Sequence, residues 1–165
     1  MQSPDAQFER AYVQYLPAVS GYLARRVPRQ AVEDLAADVF AVAWRKRAAV
    51  APGEELPWLY RIAANVVANH RRREATGSAL VAALRPADSS PSAEDIVVAD
   101  ATLAAAWRGL RPAEREVLAL SLVEELAPAE LAVALGVSVN AATIRVHRAK
   151  KRLHELLERT AGPAT

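Results

Sequence analysis

Apolar residues recur at steps of three and four along almost the whole chain, in runs that begin or end at proline, glycine or a short polar residue. That spacing is the period of a helix with one buried face and does not fit the alternation of a strand. Phe8, Tyr12, Tyr15, Val19, Leu23 and Val27 form the first run, in which Pro17 is expected to kink the helix or divide it in two, with Pro28 ending it. Val32, Leu35, Val39 and Ala43 form the second. Glu33 and Asp34 near its start and Arg45, Lys46 and Arg47 at its end complement a helix dipole, so a helix is predicted over 30–47. Ala51-Pro52-Gly53 interrupts the pattern, and Pro57 suits the first position of a third helix with Leu59, Ile62, Ala63 and Val66 inside, running into Arg71-Arg72-Arg73. Aromatic residues make up only 5% of the chain while alanine recurs throughout, a composition that favours closely packed helices over strands. The expected fold class is all-α.

The stretch 76–91 contains Gly77, Pro86, Ser89, Ser90 and Pro91 without a sustained period. It reads as a flexible linker, with a short helical turn around Leu80 to Leu84. The predicted organisation is therefore two small helical domains, 1–75 and 92–165, joined by residues 76–91. Ser92 and Asp95 have the spacing of a capping box ahead of Ile96, Leu103, Trp107 and Leu110. Pro112 starts the next helix, whose core face reads Val117, Leu118 and Leu122. Pro128 starts a short one through Leu131 to Leu135, closed by Gly136. Ser138 is a natural N-cap for a long last helix, in which Ala142, Val146, Ala149, Leu153 and Leu156 form the buried seam.

Several classes of function are poorly served by this sequence. Without cysteine there is no disulfide framework, no thiol nucleophile and no zinc site of the Cys type. The histidines are His70, His147 and His154, all in basic helical segments, and no HExxH, glycine-rich phosphate loop or nucleophile motif accompanies them. The expectation is a protein that is not an enzyme and uses no cofactor or metal. No apolar run approaches the roughly 20 residues of a membrane span, and Met1-Gln2-Ser3-Pro4-Asp5 does not start like a signal peptide, so a soluble, cytoplasmic protein is expected.

Net charge is only +2, from 21 basic and 19 acidic residues, but the charges are unevenly placed. Residues 61–73 hold Arg61, His70, Arg71, Arg72 and Arg73 and no acid; residues 139–159 hold six bases against Glu155 and Glu158. Between them, Arg85 faces Asp88, Glu94, Asp95 and Asp100. Two basic segments around an acidic middle suggest two separate contacts with a polyanion, although either one alone is compatible with an ordinary solvated helix face.

The segment from Pro128 to Leu153 reads as a helix-turn-helix: a short helix, a tight turn at Gly136-Val137-Ser138, and a longer helix with Asn140, Thr143, Arg145, Arg148, Lys151 and Arg152 outward. Arg145, Arg148, Lys151 and Arg152 are suited to phosphates and Asn140 and Thr143 to base edges. The spacing alone also admits a plain αα-hairpin with a wet face. It also admits a dimeric helix-turn-helix repressor with an N-terminal ligand or dimerisation domain, which would bind a palindrome.

Asp34-Leu35-Ala36-Ala37-Asp38-Val39-Phe40, Trp44-Arg45-Lys46-Arg47, and Pro57-Trp58-Leu59-Tyr60-Arg61-Ile62-Ala63-Ala64-Asn65 running to Asn69-His70-Arg71-Arg72 resemble region two of the bacterial extracytoplasmic-function sigma factors. Leu110-Arg111-Pro112-Ala113-Glu114-Arg115-Glu116-Val117-Leu118, Glu130-Leu131-Ala132 and Arg145-Val146-His147-Arg148-Ala149-Lys150-Lys151-Arg152-Leu153 resemble region four of the same family. The resemblance implies a promoter-specificity subunit of RNA polymerase. Its first domain would read and open the minus-ten element and its second would read the minus-thirty-five element. Partners implied are the two large subunits of core polymerase and promoter DNA, double-stranded and melted, and the resemblance leaves room for an anti-sigma factor. It further implies that the helix holding Asp34, Leu35, Asp38 and Phe40 docks on the polymerase clamp, while the second domain sits on the flap. Arg61, Asn65, Asn69 and Arg72 recur along one side of the third helix, opposite Leu59, Ile62 and Val66. With the loop 48–56 as a pocket wall, they are the expected contact face for single-stranded minus-ten DNA, with Trp58 packing beneath the loop. The sequence departs from the family pattern at Ala37, Asn69 and Asn140-Ala141-Ala142-Thr143, the last of which removes a basic side chain from the groove-facing surface, so promoter preference does not carry over from relatives.

Overall fold

Ser3 begins the first helix in the computed structural model, which describes residues 3–81 and 100–162, with side chains described for 3–77 and 100–162. Its Oγ accepts the Ala6 N–H at 3.2 Å, and Pro4 fills the first position of α1, Pro4–Ala24. Of the two outcomes expected of Pro17, a kink or a division, the division does not occur. Val13, whose carbonyl loses its donor because proline has no N–H, lies with Pro17 on the exposed side, so the break in the ladder occurs away from the core. Helix α2, Val32–Arg45, is flanked by single 3-10 turns at Arg29–Ala31 and Arg47–Ala49 and is thus shorter than the predicted 30–47.

Helix α3 spans Glu55–Val81. It starts two residues before Pro57, which falls in the first turn where no intrahelical N–H bond is needed. Its far end is a second departure. Residues 76–81, read from the sequence as linker, continue the helix; Thr76 Oγ1 donates to the Arg72 carbonyl at 2.8 Å, and a single Gly77 costs only about 1 kcal/mol in a helix. The rest of the expected linker and the expected cap at Ser92 lie outside the described residues.

The chain divides between Asp95 and Ile96 into two compact units. In the first, α1, α2 and α3 each pack on the other two around Val19, Tyr22, Leu23, Leu35, Val39, Phe40, Leu59, Ile62 and Val66. In the second, α4 (Ala101–Arg108), α5 (Pro112–Leu118) and α6 (Pro128–Leu135) all pack on α7 (Val139–Ala161). Asp100 caps α4, its Oδ1 accepting the Thr102 and Leu103 N–H groups at 2.8 and 3.3 Å. Trp107, Leu110, Val117, Leu118, Leu120, Leu126 and Leu131 fill the core. Of the expected seam on α7, Ala142 and Ala149 are fully buried and Val146, Leu153 and Leu156 half-buried.

Leu122, expected in this core, is 53% exposed, and Leu120 is buried instead. The cause is a π turn over Ala119–Val123 that follows α5 directly. One extra residue in a turn rotates everything after it by roughly 100°, which moves the apolar stripe off its α-helical register.

Among the described residues, all regular structure is helical, no helix is long and apolar enough by itself to cross a membrane, and no group of three or more acidic or histidine side chains is arranged to hold a metal ion.

Candidate nucleic-acid interfaces

The turn between α6 and α7 is set by three adjacent residues. Gly136 adopts the left-handed conformation, φ 66° and ψ 37°, which a side chain would disfavour. Its N–H donates to the Val133 carbonyl at 3.2 Å, and the Val137 N–H donates to the Ala132 carbonyl at 3.0 Å, the paired bonds that close a helix C-terminus. Ser138 Oγ then accepts the Ala141 N–H at 3.1 Å and opens α7. The chain bends by 97° between the two helices, within the range of a helix-turn-helix. At the other end of α6, Glu130 Oε2 accepts the Ala127 N–H at 2.8 Å.

With Ala142 and Ala149 inward, the 100° step of a helix places Asn140, Ile144, His147 and Lys151 at the centre of the outward face and Thr143 and Arg148 beside them. All six are exposed. Arg145 is exposed but lies toward the edge of the buried seam. Arg152 is half-buried there, its Nη1 3.7 Å from Glu155 Oε2. The six residues expected to meet DNA are therefore spread over two flanks of α7. The sequence gives Ile144 no DNA role, and His147, which it suggests as a structural or phosphate-contacting residue, lies at the centre of this face. The signal for Ile144 was available, because an isoleucine two positions from both Ala142 and Val146 falls outside the seam. Thr143 differs from its expected role: its Oγ1 donates to the Val139 carbonyl at 2.9 Å, which turns the hydroxyl back onto the helix.

The base of this region is held electrostatically. Burial works to raise the Glu114 carboxyl, but bonds from the Arg111 amide (2.8 Å) and guanidinium (2.9 Å), with the Arg152 charge on α7 further off, hold it below its ordinary value.

On α3, Arg61, Asn65, Asn69 and Arg72 are all exposed, on the side away from buried Leu59, Ile62 and Val66. Arg72 donates to Asn69 Oδ1, so the Asn69 carbonyl oxygen is engaged within this face. Arg71 points elsewhere, its Nη2 lying 3.4 Å from the Arg26 carbonyl. Half-buried Trp58 continues the exposed stripe one turn toward the helix start and lines a cavity of about 460 Å³ with Phe8, Phe40, Val50 and Leu59. Ala48 and Val50 of the 48–56 loop form part of its wall, and Arg45 and Arg47 also line it.

The acidic surface on α2 is narrower than expected. Asp34 and Asp38 are exposed one turn apart, whereas Leu35 and Phe40 are each only 4% exposed. Both belong to the stripe Leu35, Ala36, Val39, Phe40 and Ala43 that faces the core, so Asp34 and Asp38 are the two of the four that lie exposed. Phe40 meets the rings of Phe8 and Tyr12 at 6.4 and 4.7 Å, edge to face. Trp44 remains partly exposed, with Phe8 at 4.9 Å and the Arg47 guanidinium 3.8 Å above its ring.

Residues 11–76 match the family model for sigma-70 region 2, and residues 101–153 match that for sigma-70, region 4. The RNA polymerase sigma factor CarQ of Myxococcus xanthus is 36% identical over 162 residues, an alignment covering 91% of this chain and 88% of CarQ. The ECF RNA polymerase sigma factor BldN of Streptomyces coelicolor is 33% identical over 162 residues, covering 91% of this chain and 60% of BldN. Among solved structures, the sigma factor RpoE in its co-crystal with the anti-sigma factor NepR, from Bartonella quintana, has the same fold. The TM-score is 0.64 at 22% identity, with 92% of this chain and 96% of that one covered.

Proposed function

Since this chain belongs to the extracytoplasmic-function sigma factors, subunits that bind core RNA polymerase and recognise promoter DNA in transcription initiation, we propose that its two units divide the promoter between them. The first unit takes the minus-ten element as it melts, and the second takes the minus-thirty-five element as duplex. What carries this reading is the occurrence, in one chain, of two exposed basic and amide-bearing helix faces, each inside a segment matched by a sigma region.

On α3, Arg61 and Arg72 supply charge to the strand backbone. Asn65 and the NH2 group of Asn69 offer hydrogen bonds to an exposed base edge. Extruding a base costs a few kcal/mol of stacking, and the cavity beside Trp58, walled by the 48–56 loop, is the space that can receive it. On α7, Asn140 reads a base edge, at about 1–3 kcal/mol of discrimination for a bidentate pair, while Arg145, Arg148, Lys151 and Arg152 hold phosphates. Asp34 and Asp38 pair with basic groups on the polymerase clamp, and Leu35 and Phe40 hold that helix from beneath. The second unit rests on the flap of the other large subunit. The protein performs no chemistry of its own and works in the cytoplasm beside its polymerase. An anti-sigma factor is a further proposed partner, as NepR is for RpoE. A dimeric repressor is not favoured, because residues 11–76 match a sigma region where that reading needs a ligand or dimerisation domain.

Run-off transcription with core polymerase on genomic fragments tests the whole reading, and the absence of any specific initiation would refute it. Permanganate reactivity of promoter thymines tests the minus-ten face. The double variant Asn65→Ala, Asn69→Ala should associate with polymerase normally and open promoters poorly; normal opening would put the reader elsewhere.

A further inference from the structure

The outward face of α7 carries an apolar spot among its polar residues. Ile144 is 39% exposed and is placed one turn after Asn140 and one turn before Arg148. Beside it, Thr143 has its hydroxyl bonded to the Val139 carbonyl at 2.9 Å, so the γ-methyl is the part of that side chain left to face outward. A β-branched side chain in a helix has essentially one χ1 rotamer, so Ile144 presents its methyl groups without having to order itself on contact. An apolar spot on a helix face that also carries exposed Arg148 and Lys151 fits a polyanion that also displays an apolar group. Duplex DNA has one such group in the major groove, the 5-methyl of thymine.

We propose that Ile144, with the Thr143 methyl at its side, reads the 5-methyl group of a thymine in the upstream promoter element, making it a specificity-determining residue separate from Asn140. The proposal rests on α7 being the minus-thirty-five reader. Asn140 and Ile144 are four residues apart, about 6 Å along the helix, and one base step is about 3.4 Å, so Ile144 reaches a base pair one or two steps from the one read by Asn140. The two residues together define a short preference: a hydrogen-bonded base and, one or two steps away, a thymine held by its methyl group. His147, one turn beyond Thr143, and Arg148 then fall toward the strand backbone.

The test uses the full chain assembled with core polymerase. The preferred upstream sequence is first selected from a randomised duplex, and each thymine in it is then replaced singly by deoxyuridine, which removes only the methyl group. For the wild-type protein, one replacement should weaken binding about three- to fivefold, the worth of one buried methyl, and the others should change it less than twofold. Ile144→Ala should bind the thymine and deoxyuridine duplexes equally at that position while keeping the preference set by Asn140. Thr143→Val, which keeps the methyl and drops the hydroxyl, should retain the wild-type ratio. A sequence preference with no methyl effect at any position, or a methyl effect that persists in Ile144→Ala, overturns the Ile144 assignment alone. Failure to select any upstream sequence overturns α7 as the reader, and this inference with it. Loss of polymerase association in Ile144→Ala overturns the assignment as well, since it would make the residue a protein contact.

Discussion

Replacing Gly136 by alanine tests whether the geometry of one residue sets the position of the DNA-reading helix. The native φ of 66° lies where an L side chain crowds its own backbone, at a cost of roughly 1–2 kcal/mol. The alanine chain is stiffer when unfolded, which returns about 0.4–1 kcal/mol. The net loss is about 1 kcal/mol if the turn holds. If the turn relaxes instead, the bonds from Gly136 to Val133 and from Val137 to Ala132 are also at risk, each worth about 0.5–1.5 kcal/mol, and the loss approaches 2–3 kcal/mol. A loss of 1–2 kcal/mol corresponds to a five- to thirtyfold rise in the open population. Native-state hydrogen exchange reads this region by region: amides of α6 and α7 should lose protection by that factor, while α1 to α3 serve as an internal control and stay unchanged. Gly136→Asn should fall between the two, because asparagine tolerates the left-handed region better than alanine. Wild-type exchange in α6 and α7 of Gly136→Ala would refute the argument that this conformation needs glycine, and equal loss in α1 to α3 would refute the independence of the two cores.

Glu125 holds a φ of 56°, and relieving it by Glu125→Gly should stabilise the second unit by up to about 1 kcal/mol in urea unfolding, with a loss instead showing that the Glu125 side chain makes contacts that matter. Leu118→Ala, at a site with no exposure, should cost about 3–5 kcal/mol and abolish upstream DNA binding while leaving polymerase contacts of the first unit measurable by pull-down. Because the Glu114 carboxyl is held below its ordinary value in the folded chain, its contribution is fully present above the unfolded value near 4.3 and is lost as pH falls through the folded one. The stability gap between wild type and Glu114→Gln should therefore be open at pH 7 and close in strong acid. Asp38→Lys should weaken polymerase association at low salt without altering the thermal midpoint, since that carboxylate is exposed, off the core and beyond the first turn of α2.

Period, punctuation and motif already determined much of this protein. The three-and-four spacing identified every helix in the described residues as a helix, and Pro112, Pro128, Gly136 and Ser138 marked helix ends that the structure places at those residues. These are local effects: a missing N–H, a positive φ or a capping hydroxyl acts over one turn and is visible in one turn of sequence. The exposed stripe of Arg61, Asn65, Asn69 and Arg72 was legible for the same reason, being the complement of a core stripe on the same helix. What required the tertiary structure was everything decided by a neighbour. Leu35 and Phe40 sit in the same motif as Asp34 and Asp38; the apolar stripe of α2 already puts Leu35 inside, whereas Phe40 is fixed in the core by the rings of Phe8 and Tyr12 on α1. Helix α3 runs on through Gly77, and α1 through Pro17, because one unfavourable residue is outweighed by favourable turns on either side. Leu122 lost its expected place to Leu120 because a single π turn changed the register. Gly77 costs its helix about 1 kcal/mol and Pro17 about 3 kcal/mol, and at that scale the contacts made by the folded chain, rather than the propensity of the residue, select the state.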